Sequence, residues 1–510
     1  MKKPIYFVIG FAFLVIVTLS VTVFDESTKT QKDNDEHETE IVVTPAEKYS
    51  LDEREQHCGS SKAKTNQYIK EFEIPTPCTQ PLSIIADPEG KIWFTQTNTG
   101  KIAMFDPESE EFTEYQNEMW SLNGASMMWG IAYTDDNEIW FTDDKYGAIW
   151  RFSIPDETYS KFEIKGKTKK AFPQKIALYN DNFVINDFTG NQMVVLNHEK
   201  LDEGQYTNST LSIPEGFFTS QAVVDSEGNM WFVMWKYQKE IILVKTNSIS
   251  QKVEQYTLPE SIQAPNGVAI GPLGGIWIAD TAGNSFYKFN PEDKKVIEFV
   301  TSKPSVLTYG NASGLIKTPI TRPYWNAFDS DGKMWFNQQT GNRLAVFDPD
   351  SESLIEYDIP SKNPSWSDCG DLTDCGLSQS FGFAFKDKQV WFTEWVENNI
   401  GVLDTSITIP ISLEIEKEII AIKQGGQKEI FVTAIPQTNQ NIDLVLSGNS
   451  NSELIKIKTN PEPTQISDRM VKIPILIIVD EKAHQGDYKI LLSIQLQDVV
   501  VSSYVSVRII

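Results

Sequence analysis

Histidine and cysteine each occur only four times in 510 residues, and that scarcity narrows the chemistry open to the chain. The histidines are His37, His57, His198 and His484, far apart in sequence. The cysteines, Cys58, Cys78, Cys369 and Cys375, lack the paired spacing of a zinc site, and only His57 adjoins one. Basic clusters are missing beyond the N-terminus. Lys and Arg number 45 against 70 Asp and Glu, a formal charge of −25, which argues against a nucleic-acid partner. A single long apolar run, residues 4–24, follows Lys2 and Lys3 and precedes Asp25 and Glu26. About 20 apolar residues suffice to span a bilayer, and the charge order places the bulk of the chain outside. With no small-x-small cleavage site in view, an uncleaved single-pass anchor over 1–24 is expected, a cleaved signal peptide being the alternative. Residues 25–66 are charged and non-periodic, the composition of a flexible stalk.

What is abundant is one repeated sentence. KIWFTQTNTGKIAMFDP from Lys91 returns as EIWFTDDKYGAIWRFSIP from Glu138, KMWFNQQTGNRLAVFDP from Lys333 and QVWFTEWVENNIGVLD from Gln389. Two further copies place Trp231 and Trp277, and a degenerate copy puts Val184 at that position. The key positions, 93, 140, 184, 231, 277, 335 and 391, are 47, 44, 47, 46, 58 and 56 residues apart. A period in the forties built from strand-type patterning is the mark of a β-propeller, one four-stranded sheet per repeat. Each repeat reads as an apolar strand, an Asp/Gly turn (DPEG, DSEG, DSDG), the Trp strand, a polar loop, a third strand and an outer strand. The seventh repeat lacks its outer strand, while a spare one, YIKEFEIP, stands at Tyr68. That segment is expected to join the last sheet and close the circle, giving a seven-bladed propeller over 67–404. Six blades is the alternative if the copy without Trp is not a true blade.

From 405 to 510 the pattern changes. Trp disappears, Ile and Val rise, and alternating strands such as VKIPILIIV predict a separate immunoglobulin-like β-sandwich. The fold class is therefore all-β, a propeller followed by a small sandwich, with one N-terminal transmembrane helix. In an exported chain four loop cysteines point to disulfides. Cys58–Cys78 with Cys369–Cys375 is the preferred pairing, and Cys78 bridging to 369 or 375 is the rival.

The phrase WFT followed after six intervening residues by Ile, and an acidic outer strand ending in IP, resembles the streptogramin lyases, the virginiamycin B lyase family of seven-bladed propellers. Its strongest instance is WFTEWVENNIGVLD at the last repeat. The resemblance covers roughly 67–404. It implies a magnesium-assisted elimination that opens a cyclic depsipeptide, dependent on histidines in a P-H-A/G-I motif before the last two Trp strands and on a nearby glutamate. Here Tyr324 and Phe381 stand at the histidine positions, and Glu394 approximately matches the glutamate. Phe cannot act as a base, and Tyr, with a pKa near 10, rarely does.

Loops entering the innermost strands and loops after the Trp strands open on one face of a propeller. They gather Trp129, Trp235, Tyr324, Trp325, Phe381 and Trp395 as candidate ligand-binding residues, with Glu394 as the candidate catalytic one. The segment APNGVAI at Ala264 resembles the metal-binding Pro-Asn-Gly of gluconolactonase-type propellers. Asn266, Asp280 and Asp187 are thus candidate oxygen ligands for Mg or Ca. Alternatively, the aromatics plug the channel and the acids make turn hydrogen bonds. Two functions are open. One is a membrane-anchored extracytoplasmic module binding a small molecule, glycan or envelope protein. The other is a metal-dependent lyase or hydrolase acting on a cyclic peptide or ester at the mouth.

Overall fold

The computed structural model describes residues 58–510 apart from 60–61, 122–125, 168–169, 202–208, 237–238, 248–251, 306–307, 309–319, 416–418 and 461. The anchor expected over 1–24 and most of the stalk over 25–66 lie outside the described residues. Among the described residues no helix is long and apolar enough to cross a membrane.

Each of the seven repeats occupies its own antiparallel sheet among the described residues. In the first, Pro81–Ala86 pairs with Ile92–Gln96, which pairs with Lys101–Asp106 and then Glu111–Tyr115. The copy without Trp also forms a sheet, with Asn182–Asp187 flanked by Pro173–Tyr179 and Gln192–Asn197. His198 stacks on Phe183 with ring centroids 4.9 Å apart, filling space beside Trp140. Inner strands pack side by side in chain order, and the first, Pro81–Ala86, meets the last, Ser380–Lys386. The sheets therefore form a closed, propeller-like array.

The repeated words have local jobs. Asp87, Asp225 and Asp329, in the turns before Trp93, Trp231 and Trp335, accept the indole N–H at 2.8, 2.9 and 2.7 Å. This lets a large ring be buried with its one polar atom paired. The turn itself needs glycine: Gly90 and Gly332 sit at φ 85° and 76°. The Thr of WFT stitches one sheet to the next. Thr95 Oγ1 donates to Met128 O at 3.1 Å, Thr142 Oγ1 to Gln174 O at 2.5 Å, and Thr393 Oγ1 to Leu82 O at 2.8 Å, across the closure. Closure is also made by a strand: Ile69–Glu73 pairs antiparallel with Asn399–Asp404, Ile69 opposite Leu403. The spare outer strand expected at Tyr68 is this one.

The sandwich is not separate. Val499–Ile509 adds to the outer edge of the Trp335 sheet, with Ser353 opposite Ser503, and merges it with the C-terminal sheet that includes Gly486–Gln495. An outer strand leaves a row of backbone groups unpaired, and a regular strand from the C-terminal region satisfies them. Side chains lock the joint. Tyr504 packs on Phe299 and Phe347 and donates to Val300 O at 2.6 Å, while buried Arg343 pairs with Asp358 at 2.5 Å and reaches Gln495 at 3.0 Å. Cys58–Cys78 and Cys369–Cys375 are the disulfides, the preferred pairing.

Candidate functional site

Five of the six aromatic candidates converge. Trp129, Tyr324, Trp325, Phe381 and Trp395 form one buried cluster with Leu82 and Val396 at the end of the ring where inner strands begin. Ring centroids are 5.7 Å apart for Trp129–Trp325, Trp129–Phe381 and Phe381–Trp395, all edge-to-face, and 4.5 Å for Tyr324–Trp325. Edge-to-face packing sets the positive rim of one ring on the negative face of the next, so the rings cohere as a plug. Trp395 is the most exposed of the five at 9%, and Trp366 leans on it at 5.5 Å. Its indole N–H has no hydrogen-bond acceptor among the described residues.

The sixth candidate departs from the expectation. Trp235 packs with Phe188 and Phe218 between neighbouring sheets, outside the plug cluster. Its strand, Asn229–Lys236, runs longer than the other Trp strands, so Trp235 continues the Trp231 and Val233 face into the core.

Glu394 ends the strand Gln389–Glu394 fully buried. Alternation puts it on the face of Val390 and Phe392, which pack towards Trp335 and Tyr68. It therefore lies in the crevice at the ring closure, beside Glu71 of the closing strand and Asn399. Neither oxygen reaches a partner in good hydrogen-bond geometry. Burial first, then the Glu71 charge, raises the Glu394 carboxyl well above the usual range. Glu71 is better provided for, accepting from Lys64 N at 2.7 Å and Ser361 N at 2.9 Å. Glu71 could have been noticed, since alternation from Ile69 turns it inward.

The candidate metal ligands Asp187, Asp280 and Asn266 are engaged in the loops around them. Asp187 accepts from Phe172 N at 2.7 Å and Gln192 Nε2 at 2.8 Å. Asp280 accepts from Gln263 N, Ala264 N and Ala282 N at 3.0, 2.8 and 3.1 Å. Asn266 turns its amide to Thr281 and Ala264. Among the described residues no three His, Cys, Asp or Glu side chains are grouped to hold an ion. The acids shape loops, as Asp143 does by accepting from Trp120, Trp150 and Ser126.

Tyr324, at the first expected histidine position, is enclosed, and burial pushes its phenol far up. Sequence reasoning missed Asp144, pushed up to about 7 by burial and the Asp143 charge beside it. It also missed Lys175, which reaches under the plug, its Nζ 3.4 Å from the Trp325 ring centre.

The virginiamycin B lyase family model matches residues 20–288. Among solved structures the chain is similar to a streptogramin B lyase at 21% identity, over 66% of this chain and 97% of that one, with a TM-score of 0.51. It is similar also to selenomethionine-substituted virginiamycin B lyase from Staphylococcus aureus, at 18% identity, over 67% and 99%, TM-score 0.51. At these identities the likeness is one of fold. No curated protein matches the chain.

Proposed function

The chain belongs to the virginiamycin B lyase family, and from that premise we propose that it keeps the family's scaffold as a non-catalytic binding module. In this reading it is a closed seven-bladed ring, held at the outer face of a membrane by residues 1–24. The observation that carries the reading is the aromatic plug. The two positions where the resemblance expects histidine, Tyr324 and Phe381, are ring-to-ring neighbours with centroids 5.7 Å apart inside a packed cluster. A general base must take a proton near working pH. Phenylalanine has no basic atom, and burial holds the Tyr324 phenol in its neutral form. Glu394 is shut into the closure crevice. Asp187, Asp280 and Asn266 spend their polar atoms on loop hydrogen bonds. Binding of a small molecule, a glycan or a neighbouring envelope protein is expected at the mouth face, around the rim of the plug where Trp366 leans on Trp395.

The test is incubation of the purified protein with a streptogramin-type cyclic depsipeptide and magnesium, followed by mass analysis. No linear product is expected. Turnover that vanishes in Glu394→Gln would overturn the reading, because a carboxylate alone would then sustain the elimination. The double substitution Tyr324→His, Phe381→His should stay silent too, since Trp129, Trp325 and Trp395 still fill the mouth. N-terminal sequencing of the native protein tests the anchor: a chain starting near Asp25 would show cleavage.

A further inference from the structure

Beneath the plug the axis of the ring opens into a chamber of about 210 Å³ whose walls include Lys175, Gln221, Val223, Trp325, Asn326 and Phe383. Trp325 belongs to both, as floor of the plug and roof of the chamber. Lys175 enters from the inner strand Pro173–Tyr179 and lays its ammonium over the Trp325 ring at 3.4 Å. No ion pair or hydrogen bond to the Lys175 ammonium is found among the described residues, and burial alone pushes it down to about 7. No other titratable group lines the chamber. A partly buried cation without a counter-charge is a costly arrangement, only partly offset by an aromatic face. Here it sits in front of empty space.

The walls restrict what fills that space. Gln221 Nε2 is committed to Val268 O at 2.5 Å and Asn326 Nδ2 to Trp277 O at 3.1 Å. Lys175 is thus the one side chain of the lining with an unspent charged donor. One cation suits one negative group, not a dianion, and beyond Gln221 and Asn326 the rest of the wall is apolar or aromatic. A chamber of about 210 Å³ admits a benzoate-sized body and is too small for a peptide macrocycle. We propose that this axial chamber binds a small monocarboxylate with a short apolar or aromatic body. Its carboxylate pairs with Lys175, its body lies against Trp325, Val223 and Phe383, and it enters from the turn end, opposite the plug.

Calorimetric titration of the full chain with benzoate, benzamide and chloride tests this. At pH 6 benzoate should bind saturably at one site, with benzamide and chloride at least about tenfold weaker. Above pH 7 the benzoate affinity should fall about tenfold per unit as the ammonium is lost, with proton uptake visible as a buffer-dependent heat. Lys175→Met should lose at least about tenfold in benzoate affinity while melting no lower than the parent, because it removes an uncompensated, partly buried charge. No saturable benzoate binding at pH 6, equal binding of benzamide, or full affinity in Lys175→Met would each overturn the proposal. If Lys175→Met fails to fold, the pH profile of the unmodified chain decides: an affinity flat between pH 6 and 9 would also overturn it.

Discussion

Glu71 on the closing strand and Glu394 on the Trp391 strand bury their carboxyl groups beside one another at the seam of the ring. Glu71 holds two backbone amides and the Ser361 hydroxyl. Glu394 meets Glu71, Glu397 and Asn399, and burial followed by the Glu71 charge raises its carboxyl well above the usual range, further than that of Glu71.

A pH dependence follows from this pair. Both groups sit above the usual glutamate value of 4.5, as Asp144 sits above 3.8. An acid with a raised folded pKa binds more protons folded than unfolded. Its contribution is therefore full below the unfolded value and is lost as pH rises through the folded one. Melting temperature should decline from pH 5 to pH 8. Glu394→Gln should flatten that decline and raise the melting temperature at pH 8 by at least about 2 °C. An unchanged slope in the variant would count against the raised Glu394 carboxyl.

The Thr393 hydroxyl bridges Leu82 O and Gly382 N across the closure. Thr393→Val keeps the shape and strands both backbone groups, at a cost of about 1–3 kcal/mol. Denaturant melts should show that loss, against about 0.5 kcal/mol or less for the exposed control Thr113→Val.

Removing residues 67–75 strips the Asn399–Asp404 strand of its partner. Bare strand edges recruit other chains, so size-exclusion chromatography should show oligomers and aggregate. A well-behaved monomer would mean that the strand is ornamental.

The two disulfides span 20 and 6 residues. On the loop-entropy relation, replacing the Cys58–Cys78 pair by serine should cost about 3 kcal/mol and the Cys369–Cys375 pair about 2 kcal/mol. Thermal melts of the two double variants check the order.

The ring was legible because its signal is repeated: each Trp strand, Asp turn and acidic outer strand corroborates the others, and even the copy centred on Val184 keeps the turn and strand spacing. The mouth was legible in part. Trp129, Trp325, Phe381 and Trp395 fall together because propeller geometry places the starts of inner strands around one axis. Trp235 did not, since a strand lengthened by two residues redirects a side chain in a way that spacing does not announce. The roles of Lys175 and of Glu71, whose inward turn alone was legible, were hidden for another reason. Their meaning lies in what surrounds them after closure, on strands more than a hundred residues away. The union of the C-terminal region with the Trp335 sheet was hidden likewise, because an outer strand that gains a partner has the same composition as one that faces water.

That union has a bearing on how the polypeptide acquires its shape as it is made. The sheets of the first five Trp-position repeats draw all their strands from contiguous stretches and can assemble while later residues are still emerging. The last two cannot. The Trp391 sheet joins residues 399–403 to residues 69–73, and the Trp335 sheet is extended by residues 499–503. Early strands near residue 70 must wait unpaired for the whole ring to be synthesised, and the outer edge of the Trp335 sheet for roughly 100 residues more. Completion is therefore a late event set by both flanks of the array, and a nascent chain stalled between residues 404 and 499 would carry a shut ring with one edge still open for business.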